Sequence, residues 1–240
     1  EKPRDFVAKF EKPYAALLQQ GVRFYATLGN HDDPNQRSYK GFNMNGQRYY
    51  TLKPRNNVEI FCLDSNYMDP QQVDWLRKEL PASKAEWKIA FFHHPLYSSG
   101  AKHGSTPDMQ WPYKDWGATA VLTGHDHTYE RIVVDGFPYF VNGLGGAELY
   151  NFATPVAGSM VRYNSGYGAM LVEANALTIT FQFRDVANTV IDTYQLAQST
   201  GTSTPTLTTP PNSTATSTLP STTPTMPPLT RAAYLPSVRR

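Results

Sequence analysis

The chain has 240 residues, of which 40% are hydrophobic and 13% aromatic, so it can bury a sizeable core. The chain has 22 basic and 20 acidic residues and therefore a net charge of +2. This small charge gives no reason to expect nucleic acid or an anionic membrane as a partner. The single cysteine, Cys62, excludes an intrachain disulfide, and no apolar stretch is long enough to span a bilayer.

The first 197 residues have the pattern of a globular domain in which helices alternate with strands. Helices are predicted from Pro3 to Gly21, interrupted at Pro13, and from the N-cap Asp69 through Leu80. The predicted strands are residues 22–28, 49–52, 58–63, 87–92, 118–123, 132–134, 137–141, 169–173, 177–183 and 190–195. Because the helices stop near residue 132, we expect an α/β region that continues into antiparallel strands, with layered sheets and helices outside.

The composition changes sharply near residue 197. No charged residue lies between Asp192 and Arg231, and residues 199–230 are almost entirely Ser, Thr and Pro. Such a segment cannot bury enough apolar surface to offset its chain entropy. We therefore predict a globular domain at 1–197, a disordered stalk or linker at 198–230, and a C-terminal tail at 231–240. The tail is either a mobile end or a surface-sorting or anchoring signal, and the stalk indicates an extracellular protein, secreted or at the cell surface.

Histidine placement is the strongest functional clue. All six histidines lie between residues 31 and 127. Three polar clusters directly follow predicted strands, where α/β folds collect their reactive groups: Asn30-His31-Asp32, His93-His94 and His125-Asp126-His127. Any one of these histidines is compatible with an ordinary core or surface residue, and either aspartate with a turn cap. Together, imidazole, amide and carboxylate donors favour a Zn, Fe or Mn site.

Three segments resemble motif blocks of the calcineurin-like metallophosphoesterases, most closely those of the purple (tartrate-resistant type) acid phosphatases. They are Gly29-Asn-His-Asp32, His93-His-Pro-Leu-Tyr-Ser98 and Gly124-His-Asp-His-Thr-Tyr-Glu-Arg131. The resemblance extends over about residues 5–196. It implies that 1–197 is the C-terminal part of an α/β catalytic domain, a four-layer sandwich of two mixed β-sheets face to face with helices outside.

The resemblance also implies a pair of metal ions, iron with zinc, manganese or a second iron. Asn30, His93 and His125 would bind the second metal, and His127 the first. The family's first two motif blocks, an aspartate after the first strand and a Gly-Asp-Asn-x-Tyr segment, are not found. We therefore expect an N-terminally truncated chain that lacks the first strands, binds metal poorly and has little turnover by itself.

The catalytic residues implied by the resemblance are His31, Asp32 and His103. His31 would protonate the leaving group, Asp32 would orient its imidazole, and His103 would assist at the pocket mouth, although an ordinary exposed loop histidine is an equally open interpretation. The 143–146 glycine segment resembles a loop that closes one side of the site, or it is a hairpin turn.

The implied reaction is hydrolysis of phosphomonoesters, on a phosphorylated small molecule or protein, by a metal-bound hydroxide. The alternatives are a phosphodiesterase or nucleotidase on the same site, and a non-catalytic secreted surface module.

Overall fold

The computed structural model describes residues 3–198 and 230–234. Most of the predicted stalk and tail, residues 199–229 and 235–240, therefore lies outside the described residues. Residues 230–234, at the predicted boundary between stalk and tail, form a strand.

Seven strands form the larger sheet: β1 (Tyr50–Arg55), β2 (Val58–Cys62), β3 (Trp87–Phe91), β4 (Ala120–Thr123), β5 (Tyr129–Val134), β6 (Phe137–Asn142) and β7 (Ser159–Tyr163). Their order across the sheet is β1-β2-β3-β4-β6-β5-β7. The four central neighbours, β2, β3, β4 and β6, run parallel, while β1, β5 and β7 pair antiparallel. The sheet is mixed, as expected, and its parallel strands all end at the same edge.

Four strands form the smaller sheet: β8 (Gly168–Ala174), β9 (Thr178–Asp185), β10 (Val190–Ala197) and β11 (Thr230–Tyr234), in the order β10-β9-β8-β11. Every pairing in it is antiparallel, so this sheet is not mixed as the resemblance implied. The reason is local for β8, β9 and β10, because the short connections between them permit only antiparallel neighbours.

The two sheets pack face to face over an apolar core. Phe140 of the larger sheet lies 4.9 Å from Phe181 of the smaller one, measured between ring centroids, and Tyr129 stacks on Phe183 at 4.1 Å. Residues on β9 alternate between buried and partly exposed, the pattern of a sheet with one face in the core. The predicted sandwich is therefore confirmed.

A helix covers the outer face of the larger sheet. Helix α3 (Pro70–Ala82) begins as predicted, with Asp69 accepting a hydrogen bond from the Gln72 N–H at 2.9 Å. Its buried Leu76 and Leu80 pack with Phe61 and other residues of the sheet. Within the described ranges, no helix is both long and apolar enough to cross a bilayer.

The N-terminal region differs from the prediction. Its helix is broken into α1 (Pro3–Phe6), a π-helical turn (Val7–Glu11) and α2 (Ala15–Gln19), consistent with an interruption at Pro13. Residues 22–28 are not a strand, so that prediction was wrong. The segment has strand-like composition, but a strand also requires a neighbouring ladder. Its backbone contacts are instead isolated, such as Ala26 N–H to Phe42 O at 3.3 Å.

Candidate metal centre

The predicted polar clusters meet at the edge of the larger sheet where its parallel strands end. The ends of β2, β3 and β4 are tied together by backbone hydrogen bonds. Leu63 donates to Phe91 O at 2.9 Å, and Gly124 donates to His93 O at 2.9 Å. Because these strands run in the same direction and in register, the residues that follow each of them lie side by side.

Three of the predicted metal ligands converge on one point. His93 Nε2 lies 3.0 Å from Asn30 Oδ1 and 3.0 Å from His125 Nδ1. The ring of His94 is 4.4 Å from that of His125. His93, His94 and His125 each have a ring nitrogen within 4.8 Å of the others, and we refer to these three residues as the imidazole cluster.

A left-handed backbone conformation separates the two histidines of the β4 loop. His125 has φ of 67°, which is uncommon for a residue with a side chain and costs roughly 1 kcal/mol or more. The turn directs His125 into the cluster and His127 elsewhere. His127 Nδ1 is 2.6 Å from the carbonyl oxygen of Glu148, and its ring stacks on Tyr150 at 4.0 Å.

Burial keeps the cluster's imidazoles neutral. Desolvation, followed by the neighbouring imidazoles, lowers the pKa of His93 to about 2 and that of His125 to about 3. The pKa of His94 is also lowered, mainly by desolvation and then by His103. At neutral pH each ring therefore retains a lone pair that can bind a cation.

The donors of the cluster fit a divalent metal ion. Nitrogen ligands at 2.0–2.1 Å in a tetrahedral zinc site lie roughly 3.4 Å apart, close to the 3.0 Å between His93 and His125. The imidazole donors, which dominate the set, suit zinc, iron or cobalt better than calcium or magnesium. Across residues 3–198 and 230–234, the cluster is the one group of three or more His, Cys, Asp or Glu donors close enough to share an ion. His127 lies outside this group.

His103 lies next to the imidazole cluster, on a loop held by a buried carboxylate. Asp126, fully buried, accepts hydrogen bonds from Ser98 Oγ at 2.6 Å and from the backbone N–H groups of His103 and Gly104 at 3.2 and 3.0 Å. The ring of His103 is thereby placed 4.0 Å from that of His125. Asp126 was considered only as a local turn cap from sequence; its partners lie more than twenty residues away in the chain.

Two glycines allow the segments to approach each other. A Cβ on Gly29 would lie 2.6 Å from the His93 ring, so a side chain there would displace a cluster member. A Cβ on Gly143 would lie 1.9 Å from the carbonyl oxygen of Asp126. Gly143 therefore packs directly on the β4 loop, and its N–H donates to Thr128 O at 2.9 Å, next to the β5–β6 ladder.

His31 and Asp32 lie beside the cluster in the Gly29–Asp32 turn. Asp32 accepts a hydrogen bond from the Gly29 N–H at 2.7 Å, and its own N–H donates to Gly29 O at 3.0 Å. The carboxylate thus caps the turn that presents Asn30 to His93. The side chain of His31 is exposed to solvent.

Sequence reasoning missed two supporting residues that follow β2. Ser65 Oγ is 2.8 Å from His94 Nδ1 and accepts a hydrogen bond from the His94 N–H at 3.0 Å. The Asn66 side-chain amide donates to Gly29 O at 3.0 Å. The strand-end rule could have found both, because they follow a strand that is a parallel neighbour of β3.

Comparison with known proteins is consistent with this geometry. A model of the calcineurin-like phosphoesterase family matches residues 4–129, just over half of the chain. Tartrate-resistant acid phosphatase type 5 of Rattus norvegicus is 27% identical over 199 residues, covering 68% of this chain and 59% of that protein. Purple acid phosphatase 17 of Arabidopsis thaliana is 25% identical over 193 residues, covering 65% of this chain and 56% of that protein. The chain thus spans less than two thirds of these relatives' length.

Solved structures share the fold. Purple acid phosphatase PPD1 from yellow lupin (Lupinus luteus) superposes with a TM-score of 0.55 at 18% identity, covering 73% of this chain and 39% of that one. GAP50, the anchor in the inner membrane complex of Plasmodium, gives a TM-score of 0.60 at 19% identity, covering 73% of this chain and 66% of that one.

Proposed function

Because this chain belongs to the calcineurin-like phosphoesterase family, we propose that its protein hydrolyses phosphomonoesters in the manner of an acid phosphatase. The observation that carries the proposal is the convergence of Asn30, His93 and His125 from three separate segments. His93 Nε2 lies 3.0 Å from Asn30 Oδ1 and 3.0 Å from His125 Nδ1. Packing of an ordinary core does not require two imidazoles and an amide oxygen at one point.

Two metal ions form the cofactor of the proposed enzyme, iron with zinc, manganese or a second iron. Asn30, His93 and His125 hold one ion, and His127 contributes to the other. When bound, such a pair supplies a water nucleophile of lowered pKa and neutralises the charge of the phosphate ester. The hydrogen bond between His127 Nδ1 and Glu148 O fixes one ring nitrogen and leaves Nε2 for the ion.

His31 donates the proton that the leaving oxygen requires. Its ring is exposed, and Asn30, the residue before it, has its side-chain oxygen 3.0 Å from His93 Nε2. A general acid must lie within hydrogen-bond reach of the oxygen that it protonates. Asp32 acts on this step by holding the turn in place. His103, exposed and beside His125, assists in binding the substrate or in protonating the leaving group.

The protein acts outside the cell on a phosphorylated small molecule or protein. The Ser/Thr/Pro composition of residues 199–230 supports this location, since such segments form extended stalks on secreted and surface proteins. The predicted tail at 231–240 serves as a surface attachment in this proposal.

The test is hydrolysis of p-nitrophenyl phosphate by the protein expressed from its full reading frame, with metal analysis of the same sample. We expect two equivalents of metal and turnover that dialysis against a chelator abolishes. Faster hydrolysis of bis(p-nitrophenyl) phosphate would replace the monoesterase proposal with a phosphodiesterase. Two bound metals without hydrolysis of either substrate would contradict an enzyme and favour a non-catalytic surface module.

A further inference from the structure

One imidazole in the cluster has no role in the function proposed above. His94 is the second residue of the His93-His94 pair, and its ring is partly buried, 4.9 Å from that of His93 and 4.4 Å from that of His125. Burial of a third neutral imidazole against two others costs desolvation without forming a hydrogen bond between the rings. A cation shared by all three removes that cost.

One nitrogen of His94 is already engaged by a hydrogen bond, so only the other one can face an ion. Ser65, which is itself buried, bonds to His94 Nδ1 at 2.8 Å and accepts the His94 backbone N–H at 3.0 Å. If Nδ1 carries the proton and donates it to Ser65 Oγ, Nε2 retains its lone pair. Metal-binding histidines usually have this arrangement, in which the nitrogen away from the ion is hydrogen-bonded to a fixed partner.

We propose that His94 is a ligand of the same ion as His93 and His125, and that this metal position is a three-imidazole site completed by the Asn30 amide oxygen. The three rings each offer a nitrogen within 4.8 Å of the others, and nitrogen ligands of one tetrahedral ion lie roughly 3.4 Å apart. Binding of one ion would therefore bring these nitrogens closer together by about 1.4 Å or less. The inference rests on the proposed function only for the presence of a metal at this position.

The donor set determines which cations it selects. Three imidazoles and one amide oxygen are all neutral, so the bound ion retains its full double charge. Calcium and magnesium prefer hard oxygen ligands and are poorly matched to this set, whereas zinc, cobalt and iron(II) are well matched. All four donors lie between residues 30 and 125. The 240-residue chain therefore binds one equivalent of such an ion by itself, which differs from the poor binding expected from sequence.

The test is a cobalt(II) titration of the 240-residue chain, followed by visible absorption, with zinc competition to obtain the affinity. We expect one equivalent to produce the intense d–d bands of a four-coordinate ion, and magnesium to leave them unchanged. His94→Ala should reduce the affinity by more than the roughly 10–100-fold that loss of an outer hydrogen-bond partner costs, and should alter the bands. Ser65→Ala should reduce it by roughly 10–100-fold with the bands retained.

Two controls keep the result interpretable. His103→Ala removes an exposed imidazole next to the cluster and should change the cobalt affinity less than about 3-fold, well below the effect of an outer-shell partner. His94→Gln retains most of the side-chain volume, and thermal unfolding of the metal-free variants establishes that each is folded. Unchanged affinity and bands in folded His94→Ala or His94→Gln would overturn the inference, as would an equal loss in His103→Ala. None of these readouts depends on hydrolysis, so the inference can fail while the phosphatase proposal stands, and the reverse.

Discussion

The two histidines of the β4 loop are only two residues apart, yet they lie in different surroundings. His125 joins two other imidazoles and an amide oxygen, whereas His127 is held by a backbone carbonyl and an aromatic ring. The difference follows from one backbone angle, the φ of 67° at His125. One side of the site is therefore a nearly complete donor set, and the other is a single oriented imidazole.

The contrast shows how the two sides depend on the rest of the chain. The cluster side is assembled from loops of one sheet edge that are all present among the described residues. The His127 side depends on the 143–148 segment, which supplies the Glu148 carbonyl and packs on Asp126. Changes near Gly29 should therefore affect the first side, and changes near Gly143 the second.

The largest expected effect is a loss of turnover without a loss of metal from the imidazole cluster. His31→Ala in the protein from the full reading frame should lower turnover on p-nitrophenyl phosphate by about 10²–10⁴-fold, because the leaving oxygen loses its proton donor. The metal content should stay unchanged, since the ring of His31 is exposed and Asn30 remains in place. Turnover equal to that of the unmodified protein would show that His31 is not the acid.

A smaller effect should appear when a side chain is added next to the His93 ring. Gly29→Ala places a Cβ 2.6 Å from the His93 ring, so the ring must shift and the free energy of unfolding should fall by about 1–3 kcal/mol. The cobalt affinity should fall with it. Gly124→Ala is the matched control, because a Cβ there meets its nearest atom, His93 O, at 4.0 Å. Equal stability of the two variants in urea denaturation would contradict the close approach.

The smallest effect concerns the N-cap of helix α3. Asp69 caps α3, and the hydrogen bond from Gln72 N–H, followed by that from Arg48, lowers the pKa of its carboxyl. Since the folded pKa lies below the unfolded value, this stabilisation is present above the unfolded pKa and is lost as the pH falls through the folded pKa.

Asp69→Ala should therefore cost about 1 kcal/mol at pH 7, and the difference should shrink toward pH 3. Thermal unfolding over this pH range measures the difference. Cobalt affinity at pH 7 should be unchanged, which establishes that lost stability alone does not weaken the site. A difference that grows toward pH 3 would contradict the sign of the pKa shift.

Sequence patterns predicted the regular parts of the fold because those depend on neighbouring residues. The apolar runs of β3 and β4 and the Asp69-Pro70 start of α3 are local signals, and parallel strand ends bring His93 and His125 to one edge. The strand predicted at 22–28 was wrong and β7 was not predicted, because a ladder needs a partner that composition does not show. β7 is an edge strand with partly exposed residues, including Met160 at 62% exposure.

The finer geometry of the site depends on contacts between distant segments. The bond between Ser65 and His94 and the bond from the His103 N–H to Asp126 each link residues that are far apart in the chain. The left-handed φ of His125 is likewise not indicated by its residue type. The sequence therefore indicated which residues come together at the sheet edge. The structure was needed to show that His125 lies in the imidazole cluster and His127 outside it.

The most direct test of this account is the metal content of two variants of the 240-residue chain, His125→Ala and His127→Ala, each equilibrated with one equivalent of zinc and then passed through a desalting column. The account predicts that His127→Ala retains the zinc and His125→Ala loses it. Retention by His125→Ala, or equal loss by both variants, would contradict the claim that the imidazole cluster is a metal site in its own right.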